Sequence, residues 1–291
     1  MGDLFGTFRR LWFATRKMRL PIAHDALVLE VGSGDSPCPR SDVLLDLTLE
    51  DHERVGGRTI VDRPFVLGHI ERLPFRDKAF DYVIAFHVLE HSAHPAAFLA
   101  ELQRVAKAGY LETPSFWWER LTPLTMHRLE VGLETIDGRD RLVITQKASP
   151  IGDPDLHGQF HTGFVAKGAL TRLPQNALVT RYFWTGEILF RVTNPAARCD
   201  WPSPPEATRP DATDPRPPLR RFIKWAAQKT HRARQVDLLP LLRCVDCGQS
   251  RLEGDLEAGR LQCLHCGRNF VVTDGIPHLH PAGWTLGQPL L

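Results

Sequence analysis

The sequence predicts an α/β fold built on a parallel sheet with a shortened first crossover, joined on its C-terminal side to a small metal-bound ribbon. Three observations predict it. The apolar run Leu27-Val28-Leu29 ends on Glu30 and turns through Gly32-Ser33-Gly34, where glycines allow positive φ and a close approach of backbone to a ligand. A second apolar run, Asp42-Val43-Leu44-Leu45-Asp46, ends on a carboxylate fifteen residues after Val31. That spacing suits a nucleotide-like cofactor over the carboxyl ends of neighbouring parallel strands, with ribose hydroxyls on the acid. Finally, Cys244-x2-Cys247 and Cys263-x2-Cys266 stand fifteen residues apart, the spacing of a tetrahedral structural Zn²⁺ site.

The first crossover is short because only eleven residues, Gly32 to Asp42, link the first two strands, and Pro37 and Pro39 lie among them. A parallel crossover ordinarily takes a dozen or more residues and a helix. Pro37 also stands where a dinucleotide fingerprint has its third glycine, which argues against NAD or FAD. Thr59–Leu67 reads as the third strand and Asp81–Phe86 as the fourth. Pro95 suits the first position of a helix through Phe98, Leu99, Leu102 and Val105. Gly109 reads as the stop of that helix, and Tyr110–Glu112 as the fifth strand. Val131–Thr135 and Arg141–Gln146 flank Asp137-Gly138, and Val179–Phe183 and Glu187–Val192 flank Thr185-Gly186, two hairpin signals. They suit either an antiparallel edge of the sheet or a substrate-side insertion.

The segments around this core are of a different kind. Residues 1–20 read as an amphipathic helix, with Leu4, Phe8 and Leu11 on one stripe and Arg9, Arg16 and Lys17 off it. It suits either a helix packed on the core or over the cofactor cleft, or a basic helix resting on an anionic membrane surface. The catalytic region is expected over 1–200. Residues 201–218 read as a linker, with seven prolines between Pro202 and Pro218. Residues 219–236 read as a basic helix with Arg220, Arg221, Lys224, Lys229, Arg232 and Arg234, and 237–291 as the ribbon. That helix leaves contact with nucleic acid or a lipid surface open.

Composition sets outer bounds. Of 291 residues, 43% are hydrophobic and 24% charged, ordinary values for a globular chain. A formal net charge of +2 gives no overall reason for a polyanionic partner. No apolar run reaches the length of a membrane span, so no transmembrane segment is expected. Paired cysteines that suit a metal better than disulfides favour a reducing, cytoplasmic location.

Leu73-Pro74-Phe75 leading to Phe80-Asp81, the strand that follows, and its Leu89-Glu90-His91 end resemble the central block of class I S-adenosylmethionine-dependent methyltransferases. Gly109-Tyr110-Leu111-Glu112-Thr113-Pro114-Ser115 continues the likeness, which covers roughly Leu27 to Ser115. The resemblance implies a Rossmann-like sheet and S-adenosylmethionine as cofactor. It implies that Gly32, Ser33 and Gly34 approach the cofactor and that Asp46 binds ribose hydroxyls. Glu30 would order the loop or reach the amino group, and His87 would lie near the sulfonium. Where the family commonly has Asp after Gly, this chain has Gly68-His69-Ile70. There His69 would accept from the adenine amine and Ile70 would offer its backbone amide.

The ribbon carries its own resemblance. Leu241-Leu242-Arg243-Cys244 through Asp274-Gly275-Ile276-Pro277 is similar to the small zinc-ribbon activator subunits of methyltransferases. Those subunits stabilise catalytic partners that act on tRNA, rRNA or a translation factor. Four thiolates leave no open position, so Cys244, Cys247, Cys263 and Cys266 would hold a fold and not a reaction.

A hydroxyl acceptor must lose its proton as the methyl arrives, which calls for a general base. His91, just past the fourth strand, and His127 are the candidates, with His157 and His161 behind them. The Asn-Pro-Pro-Tyr or Asp-Pro-Pro-Tyr sequence found in methyltransferases of planar amines and amides is missing after the fourth strand. That absence counts against base and glutamine N-methylation. The Gly109–Ser115 segment resembles branches of the family that methylate hydroxyls or carbons of quinones and glycans. The resemblance implies a small-molecule, glycan or lipid-linked saccharide acceptor, with Phe116, Trp117 and Trp118 as candidate pocket walls. Methylation of RNA or a translation protein, and a non-catalytic scaffold, are the alternatives. An RNA acceptor would bind in a salt-dependent way, through residues such as Arg220 and Arg221.

Overall fold

The computed structural model describes residues 16–49, 59–151, 154–160, 162, 177–197, 201 and 236–286. Most of the amphipathic N-terminal helix, the proline-rich linker, the basic helix except for Val236, and His161 lie outside the described residues. Among the described residues, no helix is long and apolar enough to cross a membrane.

The sheet is assembled from β1 (Val28–Val31), β2 (Val43–Asp46), β3 (Phe65–Gly68), β4 (Phe80–Phe86) and β5 (Ala106–Pro114). These five pair in parallel in the order β3-β2-β1-β4-β5. β1, β2 and β3 are buried at every position, as expected for strands covered on both faces. No helix joins β1 to β2. Side chains brace that link instead: Glu30 Oε2 accepts from the Cys38 amide and the Ser41 hydroxyl, each at 2.6 Å. Arg63 donates to the Cys38 and Ser41 carbonyls from the other side.

Helix α1 (Pro95–Val105) starts on its proline and buries Pro95, Phe98, Leu99 and Leu102, the i, i+3, i+4, i+7 stripe of a core-facing helix, with Val105 buried at its end. Gly109 does not stop it. The helix ends at Val105 because Ala106 already pairs with Phe80 in the sheet, and Lys78 Nζ donates to the Gln103 and Ala106 carbonyls. Gly109 lies inside β5, where a Cβ would come within 2.6 Å of the Val83 carbonyl and 2.7 Å of Trp184 Nε1. The third strand is also shorter than expected: residues 59–64 approach it without joining it, and Ile60 instead donates its amide to the Gly34 carbonyl.

Helix α2 (Phe116–Leu121) follows β5, and α3 (Pro154–Phe160) packs near it. β6 (Leu129–Ile136) and β7 (Arg139–Gln146) form the hairpin expected around Asp137-Gly138, whose φ values are 51° and 74°. Positive φ at both positions is the turn that matches strand twist. The second expected hairpin does not form. β8 (Val179–Thr185) pairs antiparallel with β5, while β9 (Phe190–Val192) joins β7 in a separate sheet. After the Gly186 turn, Gln103 Oε1 accepts from the Ile188 amide at 2.6 Å and takes the chain away from β8. The edge and the insertion are thus divided between the two segments.

The ribbon contains β10 (Leu252–Asp255), β11 (Arg260–Cys263), β12 (Asn269–Phe270), β13 (Val272–Thr273) and β14 (Ile276–Leu279). β14 adds in parallel to the free edge of β3, with His278 opposite Leu67 and Leu279 opposite Gly68. The main sheet therefore runs β13-β14-β3-β2-β1-β4-β5-β8. A second attachment joins residues 241–243 to the Leu-Pro-Phe turn. Arg76 donates its amide to the Leu241 carbonyl, and Arg243 donates its amide to the Pro74 carbonyl, each at 2.9 Å. One continuous core runs from β1 and α1 into Leu242, Leu252 and Phe270 of the ribbon.

Candidate functional site

The site stands at the carboxyl ends of β1, β2 and β4. Gly32 and Gly34 have φ of 63° and 53°, the left-handed region that costs other residues about 1–2 kcal/mol. A Cβ on Gly32 would lie 2.3 Å from Val88 Cγ2, whereas at Gly34 nothing lies within 4 Å. Gly32 is a packing glycine beneath the turn after β4, and Gly34 faces open space. Asp46 Oδ2 accepts from the Gly34 amide at 2.9 Å and Oδ1 from the Leu47 amide at 2.8 Å. The acid that ends β2 is thereby held against the glycine loop. Ser33 is buried beside it.

Glu30 lies under that loop and is 1% exposed. Burial raises its pKa, and Lys17, Ser41 and Cys38 offset this only in part. Its hydrogen bonds go to Cys38 and Ser41 of the link between β1 and β2. Just after the undescribed N-terminal residues, Lys17 Nζ donates to the Ser36 carbonyl at 2.8 Å and sits 4.1 Å from the centroid of the Phe86 ring.

His87 ends β4 at φ 54°. Its Nδ1 lies 3.3 Å from Glu90 Oε1 and its Nε2 lies 3.3 Å from Glu112 Oε1. Burial disfavours the imidazolium, but Glu112 and Glu90 outweigh it and push His87 up to about 9. Glu112 also accepts from the Tyr110 hydroxyl at 2.6 Å and pairs with Arg16. Burial opposes ionisation of Glu112 as well, yet Arg16 and His87 hold its carboxyl well below the usual range.

His91 and His127, far apart in sequence, come together. Their rings meet edge to face with centroids 4.8 Å apart. The Arg128 amide donates to the Glu90 carbonyl at 2.6 Å and ties the start of β6 to the turn after β4. His127 Nδ1 is 2.6 Å from Glu119 Oε2, and Lys147 Nζ is 3.0 Å from Glu119 Oε1. All three of these side chains are buried. Glu112, Glu119 and Lys147 were not anticipated from the sequence. The available signal was a charged residue inside an otherwise apolar strand, as in Tyr110-Leu111-Glu112. His157 is elsewhere, with Nδ1 3.1 Å from the Leu121 carbonyl.

His69 and Ile70 follow β3, under the ribbon. Burial lowers the pKa of His69, whose Nδ1 accepts from the Glu71 amide at 3.2 Å. Its ring meets that of Trp284 at 5.8 Å, Trp284 stacks on His280 at 4.5 Å, and His280 Nε2 is 2.9 Å from the Leu47 carbonyl. The ribbon's last described residues thus line the region between the ends of β2 and β3. A separate cavity of about 400 Å³ opens between the start of β3 and the ribbon, at Arg63, Phe65, Leu238 and Gly254. It lies at the opposite end of the strands from the glycine loop.

The four ribbon sulfurs lie within 4.8 Å of one another. Cys244 Sγ is 3.7 Å from Cys266 Sγ, and Cys247 Sγ is 3.6 Å from Cys263 Sγ. Tetrahedral thiolates about 2.3 Å from Zn²⁺ stand about this far apart, so the cluster fits zinc. Gly248 and Gly267, at φ 73° and 76°, close the two knuckles by donating their amides to the Cys244 and Cys263 carbonyls.

A parallel sheet with a glycine turn after its first strand and an acid after its second is the class I S-adenosylmethionine-dependent methyltransferase fold. The comparisons agree: residues 43–111 match the family described as methyltransferase domain, and residues 235–275 match the Trm112p-like protein family. The middle of the sheet is thus similar to methyltransferase domains, and a Trm112p-like segment lies on the same polypeptide. The ubiquinone/menaquinone biosynthesis C-methyltransferase UbiE of Cupriavidus pinatubonensis is 32% identical over 123 residues, 38% of this chain and 51% of the relative. The chain thus spans about half the length of that curated relative. An uncharacterized methyltransferase of Schizosaccharomyces pombe is 43% identical over 61 residues, 21% of this chain and 22% of the relative. Among solved structures, a complex of the Haloferax volcanii Trm112 methyltransferase activator with a methyltransferase matches at 17% identity and a TM-score of 0.29. That match covers 46% of this chain and 77% of the other.

Proposed function

We propose that the chain is an S-adenosylmethionine-dependent methyltransferase that methylates a hydroxyl oxygen of a small molecule, glycan or lipid-linked saccharide. Its ribbon holds a structural Zn²⁺. The observation that carries the reading is the adjacency of the open Gly32–Gly34 loop, with Asp46 on the Gly34 amide, to the Glu90–His91–His127 group one turn beyond Val88.

When bound, the cofactor supplies a methyl group activated on a sulfonium. The chain does the rest by positioning. Gly34 admits the methionine and ribose parts, and Asp46 accepts from the ribose hydroxyls. His69 and Ile70 meet the adenine. Glu90 and Glu112 face His87, and Arg16 pairs with Glu112, so two carboxylates and two cationic side chains stand together at the end of β4. The acceptor hydroxyl must shed its proton as it attacks, and handling that proton is assigned to the His91–His127 group.

The match to the Trm112p-like family supports a second reading, an RNA or translation-protein acceptor. The UbiE relatives are C-methyltransferases by name, which keeps a carbon acceptor in view. The test is titration of S-adenosylhomocysteine into zinc-loaded protein, followed by an acceptor screen at two salt concentrations. Binding that Asp46→Ala abolishes is the expected result. Its absence from folded protein would overturn the enzymatic reading and favour a scaffold. Strong salt dependence of acceptor binding would favour RNA.

A further inference from the structure

Besides the four cysteines, one further group of side chains among the described residues has the composition and spacing of a metal site. Glu90, His91 and His127 place one ligand atom each within 4.8 Å of one another. Glu90 is 1% exposed. Its Oε1 lies 3.3 Å from His87 Nδ1, and its Oε2 makes no hydrogen bond among the described residues. A carboxylate oxygen taken from water without a hydrogen bond is costly unless a charge faces it.

His127 is set up as metal-ligating imidazoles usually are. One ring nitrogen, Nδ1, faces the buried carboxylate of Glu119 at 2.6 Å, and Lys147 holds that carboxylate at 3.0 Å. A carboxylate on one nitrogen fixes the tautomer and leaves the other as a lone-pair donor. Nε2 is the nitrogen left to face a cation. The His91 ring packs against the His127 ring with centroids 4.8 Å apart.

We propose that Glu90, His91 and His127 bind a divalent first-row transition-metal cation, oriented by Glu119 and Lys147 and separate from the cysteine site. Two imidazoles and one carboxylate suit Mn²⁺, Fe²⁺, Co²⁺ or Zn²⁺. Three protein ligands leave coordination positions for oxygen donors, as catalytic sites do and closed Cys₄ sites do not. The site deepens the methyl-transfer reading and rests on it for its role. A hydroxylated acceptor would bind the cation through oxygen, and coordination would make that hydroxyl more acidic. The coordinated hydroxyl would lose its proton to solvent water, and its oxygen would take the methyl as the carbon–sulfur bond of the sulfonium breaks, with no lone histidine base required.

The test is Mn²⁺ binding, followed by electron paramagnetic resonance, to full-length protein given one equivalent of zinc, which the four thiolates take in preference to the nitrogen and oxygen site. Thiolates select softer ions, so Mn²⁺ reports on the nitrogen and oxygen site. One Mn²⁺ per chain is expected, lost in Glu90→Gln and His91→Gln. Because His127 and Glu90 are buried, Glu119→Gln serves as the second variant. It keeps all three ligands and should weaken Mn²⁺ about ten- to a hundredfold. No Mn²⁺ bound to folded, zinc-replete protein would overturn the proposal, as would binding that none of these variants alters. The methyl-transfer reading fails separately: Mn²⁺ bound without S-adenosylhomocysteine affinity would retain the metal site and remove the reaction. Chelator-insensitive methyl transfer without Mn²⁺ binding would do the reverse.

Discussion

Phe75 and Leu242 form an isolated antiparallel bridge between the Leu-Pro-Phe turn and the ribbon, and both side chains are completely buried. The Leu-Pro-Phe turn therefore serves as a docking surface as well as a connection to β4. Leu242→Ala would lose the transfer energy of the side chain and leave a cavity, at a cost of about 2–5 kcal/mol. Denaturant unfolding should show that loss. A change under about 0.5 kcal/mol would mean that the ribbon is held mainly by β14.

A zinc ion held by the four ribbon thiolates should matter to the whole sheet, because β14 covers the edge of β3. Stripping it with a strong chelator should lower the thermal midpoint of the full chain in a single transition. Two separate transitions, with the sheet unaffected, would contradict the shared core.

Gly32 and Gly34 should respond differently to alanine. Both pay the left-handed penalty of about 1–2 kcal/mol, but only Gly32→Ala collides, with Val88 Cγ2 at 2.3 Å. Gly32→Ala should therefore be the less stable variant, and adding Val88→Ala should restore part of the loss. Gly34→Ala should fold, and should weaken S-adenosylhomocysteine binding because its Cβ points into the open space. Calorimetry and thermal melts separate the two effects.

Trp284 links the ribbon to the end of β3 through His69. Trp284→Ala should weaken cofactor binding several-fold while leaving zinc content unchanged. Equal affinity for S-adenosylhomocysteine would remove His69 and the ribbon's end from the adenine region.

Cys38 is completely buried, and burial, with Glu30 adding to it, pushes its thiol up to about 12. Native protein at pH 8 should leave Cys38 unalkylated by iodoacetamide, and denaturant should expose it. The folded thiol holds its proton more tightly than the unfolded one, whose ordinary value is 9.0. Its contribution to stability is therefore complete below about pH 9 and is lost as the pH rises towards 12. Denaturant midpoints across that range, compared with Cys38→Ala, check the sign.

Local chemistry was legible where it is local. The glycine turn, Pro95 at the start of α1, the Asp137-Gly138 hairpin and the paired cysteines each depend on a few neighbouring residues, and each stands where the sequence places it. Gly109 and the segment after Gly186 were misread for the opposite reason. Gly109 answers to Trp184 and Val83, and Ile188 is drawn away by Gln103, contacts between residues distant along the chain.

By itself, the sequence determined the parallel sheet, the shortened crossover and a four-thiolate ribbon, because strand period, turn residues and ligand spacing are properties of short segments. Only the tertiary structure decided that β14 extends the same sheet. It alone joined Glu90 and His91 to His127, and set Glu112 against His87 and Arg16. Edge pairing and buried charge compensation are satisfied between segments that meet only when the chain is folded, and no local pattern specifies which will meet.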